Sequence, residues 1–89
     1  MSKPVNRSLA DWCMDDIDHA LGRPFDPLGE TYRDYYCANA DSREARHMAH
    51  SPHWLRRYET KAGIVFTVTP AGREALADYL FELEASEYP

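Results

Sequence analysis

Three histidines spaced three residues apart are the side chains of this chain best suited to hold a metal ion. They are His47, His50 and His53, and Cys37 precedes them. Imidazole and thiolate are suitable zinc ligands, and two histidines three residues apart can share one helical face. However, Ser51-Pro52 breaks a helix before the third histidine, and no Cys-x-x-Cys pair accompanies the group. The sequence therefore favours surface histidines, with no metal and no cofactor.

Catalytic motifs are not evident in the sequence. It contains no Gly-rich phosphate loop and no Gly-x-Ser-x-Gly elbow, and its adjacent acids, Asp15 and Asp16, would not face each other on a helix. A hydrolytic pairing of Cys37 with a histidine is conceivable. Two cysteines, Cys13 and Cys37, are too few for a disulfide framework and are expected to be buried, unreactive thiols. We expect a protein that is not an enzyme.

Six carboxylates form two rows at helical spacing and are candidate partner-binding residues. The rows are Asp11, Asp15 and Asp18 near the N-terminus, and Glu74, Asp78 and Glu82 near the C-terminus. Acids four residues apart repeat a charge about every 6 Å along a helix, which could imitate a nucleic-acid backbone. The ordinary interpretation is that both rows are solvated faces of amphipathic helices.

A segment rich in arginine and aromatic residues is the candidate for binding nucleic acid or a protein. It comprises Arg43, Arg46, Trp54, Arg56, Arg57, Tyr58 and Lys61. Guanidinium groups would pair with phosphates, and the rings could stack on bases. The whole chain carries a net charge of −5, which repels a polyanion. A solvated basic face within an acidic fold is therefore the favoured interpretation.

The chain has 89 residues, the length of one domain whose small core depends on its aromatic side chains. No apolar run approaches the ~20 residues that span a bilayer. Residues 1–7 show no periodicity. We expect a disordered N-terminus over residues 1–7, a single domain over residues 8–89 and a cytoplasmic location.

The C-terminal half predicts a hairpin followed by a long helix. Residues 64–69 are an unbroken β-branched and aromatic run, which favours a strand after a tight turn at residues 61–63. Thr69 is suited to cap a helix, and Pro70 suits its first position. The apolar stripe of that helix is Leu76, Tyr79, Leu80 and Leu83.

The N-terminal residues predict a first helix and a loop. Ser8, with Asp11 three residues on, resembles a capping box, so we expect the helix to begin there. Gly22 and Pro24 are typical of its end. Residues 23–30 then form a loop that Phe25 or Leu28 anchors.

The middle of the chain predicts an edge strand and a second helix. Residues 31–38 are rich in tyrosine and suit an edge strand. Asp41 is the expected cap of the helix, whose inward residues are Ala45, Met48 and Ala49. Residues 53–57 fit either a short third helix or the start of a strand.

Residues 68–76, which read VTPAGREAL, resemble the strand-to-helix junction that closes many winged-helix DNA-binding domains. With residues 19–24 and 32–37 added, the chain resembles small tailed-phage and prophage proteins across residues 15–80. That resemblance implies a phage accessory protein with a winged-helix-like core, in a group that includes regulators and inhibitors of host defence. The predicted fold is therefore a compact, winged-helix-like α+β domain with about three helices, a small antiparallel sheet and a long C-terminal helix.

The favoured function is binding to a protein partner, for example inhibition of a CRISPR-type host-defence complex in the host cytoplasm. Charged faces would steer the encounter, and tyrosine or tryptophan anchors would supply affinity. The alternative is a DNA-binding transcriptional regulator that uses the basic segment, although a short third helix and a small wing disfavour major-groove reading. A virion structural role also remains open, as does the choice between monomer and homodimer.

Overall fold

The chain folds into three helices and a three-stranded antiparallel sheet, described for residues 5–86 by a computed structural model. In chain order the elements are α1 (Trp12–Ala20), β1 (Tyr35–Ala38), α2 (Arg43–His50), β2 (Trp54–Thr60), β3 (Gly63–Val68) and α3 (Pro70–Ser86). The strand order in the sheet is β1-β3-β2, which places β3 in the centre. This architecture confirms the predicted α+β class with a long C-terminal helix.

The predicted hairpin is formed by β2 and β3 around a two-residue turn, since Thr60 pairs with Gly63. Gly63 has a φ of +145°, which side chains rarely adopt, and a Cβ there would collide with the carbonyl of Ala38. The structure makes Trp54 the first residue of a strand, so the alternative of a short helix at residues 53–57 is wrong. A bulge between Arg56 and Tyr58 interrupts the pairing.

The start of α3 confirms the predicted cap. The Thr69 hydroxyl accepts a hydrogen bond from the Gly72 amide at 3.1 Å, and Pro70 is the first helical residue. The helix buries Leu76 fully but leaves Leu83 exposed. The last turns of α3 therefore extend beyond the core.

The start of α1 differs from the prediction. Asp11, not Ser8, is the N-cap, and its carboxylate accepts hydrogen bonds from the amides of Cys13 and Met14 at 3.0 and 3.2 Å. The end of α1 is as predicted. Gly22 has a φ of +81°, and its amide donates a hydrogen bond to the His19 carbonyl. This positive φ lets the chain turn away from the helix axis.

The start of α2 lies one residue later than predicted. Ser42 rather than Asp41 caps it, through a 3.1 Å hydrogen bond that its hydroxyl accepts from the Ala45 amide. Ala45 and Met48 are buried as expected, whereas Ala49 is exposed.

The core lies between the helices and one face of the sheet. Phe66, Val68 and Trp54 from that face pack with buried residues of all three helices, among them Ile17, Met48 and Leu76. We call two cross-strand rows on the opposite face of the sheet the outer sheet face. The rows are Tyr35, Thr67 and Leu55, then Cys37, Val65 and Tyr58.

The chain is already tied to the fold before α1. The Val5 amide donates to the Arg23 carbonyl at 2.6 Å, and Arg7 pairs with Asp18. Of the predicted disordered stretch, residues 1–4 lie outside the described residues, while residues 5–7 form these ordered contacts.

Candidate protein-binding groove

The loop between α1 and β1 is held in an unexpected way. Neither Phe25 nor Leu28 anchors it, because both side chains are exposed. Pro24 and Pro27 are buried instead. Proline has a fixed φ and no N–H to satisfy, so it can be buried at low cost in an irregular segment.

A single arginine of α3 clamps this loop. The Arg73 guanidinium donates hydrogen bonds to the carbonyl oxygens of Pro27 at 3.0 Å and Gly29 at 3.2 Å, and to the hydroxyl of Thr31 at 3.1 Å. The rigid fork of donors on arginine suits several acceptors at once. Arg73 therefore fixes the loop beside α3.

The clamped loop and α3 enclose a groove of about 510 Å³, which we call the α3 groove. One wall comes from α3 and consists of Ala77, Leu80, Phe81 and Glu84. The opposite wall consists of Phe25, Asp26 and Pro27, and Val5 and Arg7 complete the lining. The groove is therefore built from three separate parts of the chain.

Two phenylalanines of the α3 groove are far more exposed than is usual for this side chain. Phe25 is 79% exposed and Phe81 is 71% exposed. Single exposed apolar residues are ordinary, but two exposed aromatic side chains that line the same groove are a feature typical of binding sites.

A buried carboxylate holds the Arg7 side chain in its place at the α3 groove. Asp18 is 0% exposed, and it pairs with Arg7 and, at 3.0 Å, with Arg23. Arg7 also donates to the Pro24 carbonyl at 2.7 Å. A buried charge is tolerated only when it is paired and hydrogen-bonded, and two guanidiniums meet that need.

These contacts correct the predicted acidic face of α1. Asp18 is buried, Asp15 bonds to Arg23 at 2.6 Å, and Asp11 caps the helix. The hydrogen bond from Arg23 lowers the pKa of Asp15. The Asp15 carboxylate is therefore ionised and serves to stabilise the fold. The predicted row on α1 is therefore largely structural.

The acidic row of α3, in contrast, is exposed. Glu74, Asp78 and Glu82 lie on the surface, as does Glu84 in the groove wall. Asp78 and Glu84 lie three residues to either side of Phe81, a spacing that makes helical residues neighbours. Arg7, which lines the groove, and Arg73, which holds the neighbouring loop, are both engaged by internal acceptors. The accessible charge around the α3 groove is consequently negative.

In the predicted basic segment, the tryptophan that was expected to stack on bases is not accessible. Trp54 is only 5% exposed, and it packs edge-to-face with Tyr36 at 6.2 Å in the core. The prediction that the Trp54 ring could stack on bases is therefore wrong. Tyr58 is exposed, but it belongs to the outer sheet face.

The cations of that segment are partly engaged with neighbours. Arg43 lies over the Trp12 ring at 4.2 Å and pairs with Glu44, and Arg56 pairs with Glu59. Arg46 donates to the Asp41 carbonyl. Arg57 and Lys61 are exposed at the bulge and the hairpin turn. The segment is thus divided between α2 and the hairpin.

The histidines and Cys37 do not come together. Cys37 is exposed on the outer sheet face, contrary to the expected buried thiol. The three histidines instead border an open 400 Å³ cavity with Cys13, whose pKa is raised by burial and by nearby Asp11 and Asp16. Within residues 5–86 no three His, Cys, Asp or Glu side chains are placed to hold a metal ion.

One further carboxylate has an unusual environment. Asp16 is half-buried, and its Oδ2 atom has no hydrogen-bond partner. Burial, with the charges of Glu44 and Asp15, raises its pKa to about 6. The nearby Arg43 guanidinium partly offsets this rise, and the Asp16 carboxylate in turn raises the pKa of the Cys13 thiol.

Sequence reasoning missed Phe25 as an exposed residue and did not consider Phe81. A usable signal was present in the helix pattern. Phe81 falls outside the stripe of Leu76, Tyr79, Leu80 and Leu83 and is flanked by acids. A large apolar residue on the charged side of an amphipathic helix is an interaction candidate.

No helix within the described part of the chain is long and apolar enough to cross a membrane. No protein-family model, curated protein or solved structure matches this chain.

Proposed function

We propose that this protein acts without catalysis, by binding a protein partner in the α3 groove. The observation that carries the proposal is the exposure of Phe25 and Phe81 on opposite walls of one groove. Burial of an exposed phenylalanine contributes about 2 kcal/mol, and aromatic anchors are typical of binding hot spots.

The walls of the groove support the same function because contacts within the chain hold them in place. Arg73 fixes the loop through three hydrogen bonds, and the Arg7 pair with Asp18 fixes the N-terminal side. A site that is already ordered loses little conformational entropy on binding. The Phe25 and Phe81 rings are left exposed by the fold, and a bound partner would bury them.

We also propose, from the sequence resemblance, that the partner is a component of a host-defence complex. An accessory protein that inhibits such a complex needs a surface and no catalytic residues. The DNA-binding alternative has less support, because Trp54 is buried and the segment between β1 and the hairpin contains α2 as its only described helix.

A pull-down from host lysate tests the proposal. The bait should be attached through Cys37, because this exposed thiol lies on the outer sheet face, whereas Val5 and Glu84 place both ends of the described chain at the groove. We expect the captured protein to be lost, by about tenfold or more, when Phe25→Ala and Phe81→Ala are combined.

The matched control is Leu28→Ala, which removes an exposed apolar side chain of the same loop that does not line the groove. This variant should retain the partner. If all captured proteins bind the double variant as well as they bind the wild type, the groove is not the binding site and the proposal fails.

A titration of labelled duplex DNA at several salt concentrations tests the alternative. Binding in the range of about 1 μM or tighter, with a steep loss of affinity as salt rises, would replace protein binding with DNA binding as the function. We expect no such binding from a surface whose accessible charge is mainly negative.

A further inference from the structure

We infer that the α3 groove receives an amphipathic helix of the partner, with an apolar face and flanking lysine or arginine residues. This inference rests on the proposed function and specifies the chemistry of the partner. It combines three properties of the groove: its apolar walls, the arrangement of side chains on α3, and the charge around Phe81.

The side chains of α3 form two ridges that suit a second helix. Ala77 and Phe81 make one i, i+4 ridge, and Leu80 and Glu84 make the next. Packing of such ridges into the grooves between ridges of another helix is the commonest mode of helix contact. The small Ala77 side chain allows a close approach, and Phe25 closes the opposite side.

The charge around the groove determines the polar residues of that helix. Asp78, Glu82 and Glu84 are exposed on α3, with no basic residue in its last turn. The two arginines that could neutralise them are held by Asp18 and by the clamped loop. An acidic partner would be repelled, whereas lysine or arginine beside the apolar face would be attracted.

The test uses two synthetic amphipathic peptides, each about five turns long. Both have leucine on one face, and the other face is lysine in one peptide and glutamate in its charge-reversed counterpart. Binding to the isotope-labelled full chain is followed through the backbone amide shifts in nuclear magnetic resonance spectra.

We expect the lysine peptide to shift amides of residues 77–84 and of Phe25, and to bind at least about tenfold more tightly than the glutamate peptide. Phe81→Ala should abolish binding, and Leu28→Ala should not. Combined Asp78→Asn and Glu84→Gln should weaken binding and reduce its dependence on salt. These exposed substitutions leave the core intact, which a thermal melt confirms.

Equal binding of both peptides would overturn the inference, and so would shifts centred on Tyr35 and Tyr58 of the outer sheet face. A dimer of the chain alone that Phe81→Ala dissociates would also overturn it, because a second copy would then occupy the groove. Failure of the two proposals is distinguishable. A lysate partner that needs Phe25 and Phe81, without binding of the lysine peptide, leaves the proposed function standing and removes only this inference.

Discussion

Asp16 is the residue whose ionisation opposes folding. Its pKa is raised to about 6 from the ordinary value of 3.8, first by burial and then by Glu44 and Asp15. The folded state therefore binds this proton more tightly than the unfolded state does. The cost of the charge is present above about pH 6 and is relieved as the pH falls toward 4.

Asp16→Asn should therefore stabilise the protein at pH 7, by about 1 kcal/mol once the shift is discounted for the half-exposed side chain. Near pH 4 the gain should vanish. Urea unfolding at both pH values measures the difference, with Asp78→Asn, an exposed carboxylate of α3, as the control. An equal gain for Asp16→Asn at both pH values would show that its charge is not the cause.

Residue types predict some roles in this chain and not others. The capping role of Thr69 follows from its position before proline, and the structure shows it. The burial of Asp18 does not follow from helical spacing, because its partners Arg7 and Arg23 come from segments outside α1. A charged residue is buried or exposed according to such distant contacts, which no local pattern encodes.

At the scale of elements, the loop between α1 and β1 depends on α3 for its position. It has one short turn of its own, in which the Gly29 amide donates to the Asp26 carbonyl. Further support comes from the buried prolines, from the Arg73 clamp and from the hydrogen bond that Arg7 donates to the Pro24 carbonyl. Loss of this clamp should loosen one wall of the α3 groove while α3 itself stays folded.

Arg73→Lys should destabilise the protein by about 2 kcal/mol, because an ammonium group cannot reach three acceptors in the geometry that the guanidinium satisfies. Hydrogen exchange should accelerate at the amides of Leu28 and Gly29, and partner binding should weaken although Arg73 does not line the groove. Arg46→Lys is the control, since Arg46 donates only to the exposed Asp41 carbonyl. Unchanged exchange in the loop would contradict the clamp.

The helices and strands themselves were largely predictable, but the residues at which they begin were harder to predict. The β-branched run of β3 and the apolar period of α3 are strong local signals, and both predictions were correct. The caps of α1 and α2 were misplaced because several serine and aspartate residues compete at each start. The groove could not be predicted, because the loop and α3 are brought together by tertiary contacts such as those of Arg73, which no local pattern encodes.

At the scale of the molecule, the fold separates two kinds of surface. The helices cover one face of the sheet. The residues of the outer sheet face are uncharged and include exposed Tyr35, Leu55 and Tyr58, and the Arg33 guanidinium lies over the Tyr35 ring at 4.7 Å. The exposed acids of α3 lie instead beside the groove. Net charge alone predicted an acidic protein, but the position of the accessible negative charge depends on which carboxylates are paired internally.

The absence of basic residues in the last turn of α3 has a consequence for the helix itself. The final carbonyl groups of a helix carry partial negative charge, and Glu82 and Glu84 add to it, so this end of α3 is held less firmly than its 17-residue length suggests. Dissolved cations would screen that repulsion, and moderate ionic strength should increase the helical signal in far-ultraviolet circular dichroism. Glu84→Lys should give the same increase at low ionic strength, because a positive charge there complements the macrodipole.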